Sequence, residues 1–171
     1  MTYSEELWGV AEEIANKVRD HHTVNYVSPE RVSNSVTGYV GQLSFYFYVH
    51  NGNYSQLVLR YIPIGASDEQ DYVFRGYPVD IKSPNQKRLP RLLVKVSEFA
   101  DPKDLYVLVW VNPESHKTLI LGYATKEEVA NAPIPELPYE PAHAIEFQQL
   151  HEPREALNLP VKVNFDALTG W

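Results

Sequence analysis

The stretch that most constrains this chain is residues 71–83, DYVFRGYPVDIKS. If Arg75-Gly76 forms a two-residue turn, Phe74 faces Tyr77, Val73 faces Pro78, Tyr72 faces Val79, and Asp71 lies directly across from Asp80. Side chains alternate faces along a strand, so Tyr72, Phe74, Tyr77, Val79 and Ile81 make one unbroken apolar face. The opposite face carries Asp71, Asp80 and Lys82. A slip of one residue would expose the apolar set and bury the charges, so the pattern selects a single register.

Directly opposed residues have their side-chain roots ~5 Å apart, and two like charges so placed are destabilising unless something neutralises them. A divalent cation is the economical answer, and hard carboxylate oxygens favour Mg²⁺ or Mn²⁺ over zinc. The chain has no cysteine, which excludes disulfides, thiolate nucleophiles and cysteine-based metal sites. Its six histidines show no recognisable ligand spacing. His116 lies beside Ser115 in a predicted turn, without the acid and elbow of a hydrolase triad.

Around this hairpin the 171 residues read as one domain with a mixed α/β pattern. Thr2 and Glu5 fit a capping box, and Leu7, Val10, Ala11, Ile14, Ala15 and Val18 recur at helical spacing, which predicts a helix over about residues 3–20. Residues 35–49 are ambiguous. Val36, Tyr39, Val40, Leu43 and Phe47 make a helical stripe, whereas SFYFYV has strand composition. Strands are expected at 54–63, 71–74, 77–83, 92–96, 105–111 and 118–123, with a turn from Asn112-Pro113 to His116. Thr125 and Glu128 form a second capping box, opening a helix that ends near Asn131. NAPIPELPYEP holds four prolines in eleven residues and reads as an extended surface connector. Residues 132–171 as a whole read as this connector and a C-terminal extension, with a last strand or short helix at 144–150 and a terminal turn at 152–159.

The net charge is -7, yet the charge is unevenly spread. Six acids and three bases lie in residues 1–31, and eight acids and three bases in 126–171. Lys82, Lys87, Arg88, Arg91 and Lys95 form a basic run with no acid between Lys82 and Ser97. Any polyanion would have to approach this segment. No apolar run nears the roughly 18 residues needed to span a bilayer, and the N-terminus is acidic where a signal peptide is basic, so a cytoplasmic protein without membrane association is expected.

Asp71, eight residues, then Asp80-Ile81-Lys82 resembles the active-site signature of the PD-(D/E)XK nuclease superfamily, the restriction-endonuclease-like fold. YVLVWVNPESHKTLILGYATKEEV is similar to the strand-turn-strand-helix that small members place after the catalytic hairpin. The resemblance covers roughly residues 36–131. It implies an α/β fold with a mixed sheet of five or six strands, a first helix on one face, and a second helix at about 36–49 where the family pattern overrides strand propensity. It also implies a Mg²⁺- or Mn²⁺-dependent DNA endonuclease: Asp71 and Asp80 bind the metal, and Lys82 orients or activates the attacking water. Lys87, Arg88, Arg91 and Lys95 would hold flanking phosphates. Duplex-cutting enzymes of this kind often work as homodimers.

The pattern departs from the family in two places. Gly38-Tyr39-Val40-Gly41 is followed by Gln42 where many members carry a glutamate; an amide can hold water or metal through its oxygen but brings no charge. Gln70 replaces the proline before the first acid. A solvent-facing hairpin in which Lys82 merely balances two acids is the plain alternative. On a degenerate scaffold, that alternative describes a non-catalytic interaction or regulatory module using its acidic surface. The many aromatic residues are mostly at core positions, with Tyr46 and Tyr48 outside the helical stripe and better placed to stack on bases.

Overall fold

The computed structural model describes residues 8–13, 29–50, 72–84, 90–138 and 140–162. Helix α1 is seen over residues 8–13, with Ala11 fully buried and Trp8 Nε1 donating to Glu12 Oε1 at 2.9 Å. The predicted Thr2–Glu5 cap and the strand at 54–63 lie outside the described residues.

Helix α2 runs Pro29–Val49, so the ambiguous aromatic segment is helical. It also starts earlier than the expected residue 36. Proline is well tolerated as the first helical residue, because the N–H it lacks would have no intrahelical acceptor there. What decides helix over strand is burial: Val36, Val40, Leu43, Phe45 and Phe47 all enter one core. The buried Ser44 hydroxyl is satisfied within the helix, donating to Val40 O at 2.7 Å.

Four strands, β1 (Tyr72–Phe74), β2 (Tyr77–Lys82), β4 (Leu105–Asn112) and β5 (Lys117–Thr125), form a mixed sheet in the order β1-β2-β4-β5. β2 and β4 are parallel; the outer pairs are antiparallel. Among the described residues this sheet has four strands where five or six were expected. β3 (Leu92–Lys95) and β6 (Ala142–Ile145) leave it to form a separate antiparallel ribbon. The chain needs a crossover to bring β4 parallel to β2, and β3 lies within that crossover.

The central strand β4 is buried on both faces, as its nearly continuous apolar sequence LYVLVWVN anticipates. Leu105, Val107, Val109 and Val111 join α1, α2 and the hairpin in a first core. Tyr106 and Leu108 point the other way into a second core with Leu92, Val94, Ala124, Val129 and Ile145. The sheet is thus sandwiched between helices and the ribbon. Helix α3 (Lys126–Asn131) has the predicted Thr125–Glu128 capping box. Beyond the connector, β6, a 3₁₀ turn at Phe147–Gln149 and α4 (Pro153–Ala156) pack back on the sheet. Among the described residues no helix is long and apolar enough to cross a membrane.

Candidate functional site

The hairpin forms as its side-chain pattern requires. Tyr72 pairs with Val79, Val73 with Pro78 and Phe74 with Tyr77. Arg75 and Gly76 both adopt positive φ, 52° and 85°, the signature of a tight turn whose twist matches that of the strands it joins. Arg75 is held there by its Nη1, which donates to Leu159 O at 2.8 Å. Val79 and Ile81 enter the first core, so Asp80 and Lys82 project from the opposite face of the sheet.

On that face Asp80 lies beside Tyr106, its partner in the parallel β2–β4 register. Lys82 Nζ sits 2.9 Å from Asp80 Oδ2 and 2.8 Å from Glu98 Oε2. The Lys82 and Asp80 side chains keep only 25% and 19% of their exposure. Burial by itself would drive the proton off Lys82, but the two carboxylates outweigh it and hold the ammonium above its ordinary range. Burial raises the Tyr106 hydroxyl, the Lys103 backbone N–H opposes this by donating to the phenol oxygen at 3.0 Å, and Asp80 adds to the rise. Tyr106 is therefore a neutral phenol beside the charged cluster at physiological pH.

Glu98 opens a 3₁₀ turn, Glu98–Ala100, directly after β3. No spacing argument reaches it from Lys82, sixteen residues away, because the contact depends on β3 folding back over the sheet. The available signal was weaker: Glu98 is the first acid after the basic run. Its other oxygen lies 3.9 Å from Lys95 Nζ, which in turn lies 3.4 Å from Glu140 Oε2. Ser97 Oγ donates to Glu140 as well. Phe99 stacks on Tyr106 with ring centroids 6.2 Å apart and partly covers the same side.

Of the other residues singled out in the sequence, Asp71, Lys87 and Arg88 lie outside the described residues. Arg91 and Lys95 stand at the two ends of the outward face of β3. Arg91 Nη1 is 3.9 Å from Glu146 Oε1, so both bases face carboxylates of neighbouring segments. Gln42 is half-buried on α2, which packs against the face of the sheet opposite Asp80 and Lys82. Beside it, Gly41 packs against Ser83, the residue after Lys82. Tyr46 packs against the first core and its hydroxyl is buried. His116 stacks on Trp8 at 5.2 Å.

Asp80 and Glu98 bring hard oxygen donors to a point where positive charge is already stabilised, and in donor type they suit a divalent cation. Among the described residues no group of three or more histidines and carboxylates is disposed to hold a metal. In comparisons with protein-family models, curated proteins and solved structures, the chain matches none.

Proposed function

We propose that this protein is a divalent-metal-dependent DNA endonuclease of the PD-(D/E)XK type, acting on phosphodiester bonds as a homodimer. The observation that carries the reading is the pairing of Asp80 with Lys82 on a partly covered sheet face, the lysine kept charged by carboxylates. The three paired positions of the hairpin agree with a register that sets Asp71 opposite Asp80. In this reading Asp71 and Asp80 hold Mg²⁺ or Mn²⁺. The metal supplies polarisation of a phosphoryl oxygen and acidification of water.

The chain's own residues do the rest. Lys82, a cation in a partly desolvated site, stabilises negative charge developing on the phosphoryl group, where a preorganised charge acts more strongly than in water. Tyr106 and Phe99 keep bulk water from one side of the cluster. Arg91 and Lys95 exchange their carboxylate partners for phosphates of the bound strand, and Lys87 and Arg88 add further phosphate contacts. Gln42 contributes no charge, so metal affinity depends on the aspartates.

Supercoiled plasmid incubated with Mg²⁺ or Mn²⁺ tests the reading. Nicking or linearisation is expected, abolished by Lys82→Ala, with a calorimetric Mn²⁺ signal lost in Asp80→Ala. Intact plasmid and no metal heat would instead support a non-catalytic interaction module. The feature favouring that second reading is specific: Lys82 is already neutralised on two sides, and Arg91 and Lys95 face acids of the same chain.

A further inference from the structure

Each end of the ribbon sets a base of the β3 segment against an acid of the β6 segment. The two strands pair antiparallel from Leu92↔Ile145 to Lys95↔Ala142, so Arg91 and Glu146 stand one residue beyond the first pair. Past the other end, Val96 N donates to Pro141 O at 2.9 Å, which brings Ser97 level with Glu140. Arg91 Nη1 then lies 3.9 Å from Glu146 Oε1, and Lys95 Nζ lies 3.4 Å from Glu140 Oε2. We propose that Glu140 and Glu146 form an autoinhibitory brace, occupying Lys95 and Arg91 and weakening their attraction for a polyanion until its phosphates displace them.

The proposal rests on the nuclease reading for the identity of the polyanion, DNA, whereas the pairing itself follows from the strand register. These pairs are ill suited to hold the fold. Their side chains keep between 37% and 62% of their exposure, and exposed pairs contribute little to stability. Both distances exceed the roughly 2.7–2.9 Å of a close charge-assisted hydrogen bond. The ribbon is joined by its backbone ladder, so the carboxylates can be displaced without unfolding it. Their field is another matter, because a negative charge beside each base cancels much of the attraction an approaching phosphate would feel.

Glu140 is also held in place. Ser97 Oγ donates to it, and that bond, ahead of Lys95, keeps the Glu140 carboxyl below its usual range. The same hydroxyl caps no backbone group of the 3₁₀ turn that follows, so it is spent on aiming Glu140 at Lys95. Arg91 and Lys95 are four residues apart in the sequence, which is about 13 Å along an extended strand. A single phosphate cannot span both bases. A polymer that presents several phosphates at once therefore opens the brace more readily than a mononucleotide does.

Binding of a fluorescein-labelled DNA duplex is measured by anisotropy across a series of salt concentrations, in EDTA so that nothing is cleaved. Glu140→Gln and Glu146→Gln each remove a charge, whereas Ser97→Ala removes only the hydroxyl that aims Glu140. Glu136→Gln, at an exposed acid of the same connector, reports the general effect of losing a negative charge. Glu140→Gln and Glu146→Gln are each expected to tighten binding about two- to fivefold, the range of an exposed ion pair. The slope of affinity against salt should steepen by roughly 0.9 in each, since no displaced carboxylate takes up a cation. Ser97→Ala should tighten binding as well, although its net charge is that of the wild type. Glutamine variants that bind no more tightly than Glu136→Gln, or a Ser97→Ala protein that binds as the wild type does, would overturn the proposal. So would an absence of duplex binding in every variant.

Plasmid cleavage separates this result from the fate of the nuclease reading. If the wild type leaves plasmid intact with Mg²⁺ or Mn²⁺, yet duplex affinity rises in Glu140→Gln, Glu146→Gln and Ser97→Ala, the brace stands and only the nuclease reading is lost. If the wild type cleaves and these variants bind no more tightly, the nuclease reading stands and the brace is lost.

Discussion

Two glycines three residues apart on α2 show how far identical residues can differ in what surrounds them. A Cβ built on Gly38 meets nothing within 4 Å, whereas one on Gly41 comes 1.7 Å from Ser83 Oγ and 2.7 Å from Ser83 Cβ. Glycine in a helix interior costs roughly 0.5–1 kcal/mol relative to alanine, so Gly38→Ala is expected to stabilise by about that amount. Gly41→Ala forces apart the contact between α2 and the end of β2, and overpacking of this kind costs about 1–3 kcal/mol. Urea unfolding of the two variants should therefore shift in opposite directions. A stabilised Gly41→Ala would show that α2 does not approach Ser83. This contact matters to the site because Ser83 follows Lys82 directly, and a displaced strand end would carry the ammonium with it.

At the scale of single elements, α3 illustrates a local signal that carried through to the folded structure. Glu128 Oε2 accepts the Thr125 backbone N–H at 2.8 Å, and Thr125 Oγ1 accepts the Glu128 N–H at 3.3 Å. A six-residue helix has too few internal bonds to nucleate alone, so the cap and Val129, buried in the second core, must hold it. Thr125→Ala is expected to cost about 1 kcal/mol by thermal melt. Glu128 also contacts His151 Nε2 at 2.7 Å. Burial raises the carboxyl, but the Thr125 N–H and His151 prevail and hold it below its usual value of 4.5. A carboxyl depressed in the folded state contributes stability that is present above its unfolded value and lost as pH falls through the folded one. Stability should thus decline as pH drops below about 4.5, and Glu128→Gln should flatten that decline. Equal slopes in the two proteins would remove Glu128 as the cause.

For the whole molecule, the decisive feature is that the mixed sheet has a core on each face and the second is closed by a ribbon whose strands lie far apart in sequence. Ile145 on β6 is part of that second core, and His151 bridges Tyr123 on β5. A chain stopped at residue 138 would lack both, leaving β3 unpaired and the far side of β4 exposed. Its expected behaviour is loss of a cooperative thermal transition and binding of a hydrophobic dye. A sharp native-like melt would mean that residues beyond the connector are dispensable for the fold.

Local chemistry made several elements legible from the residues alone. A turn dipeptide with glycine, a two-residue apolar alternation and a threonine followed three places later by glutamate each satisfy their requirements among near neighbours. The Arg75-Gly76 hairpin, the pairing register of Tyr72 through Val79, the common face of Asp80 and Lys82, and the start of α3 therefore follow from the sequence. Three outcomes depended on contacts between distant segments: the helical state of SFYFYV in α2, the departure of β3 from the main sheet, and the arrival of Glu98 at Lys82. Aromatic and branched residues suit either helix or strand when buried, and an ion pair across sixteen residues needs the chain between them to be folded first, so only the tertiary structure could decide these.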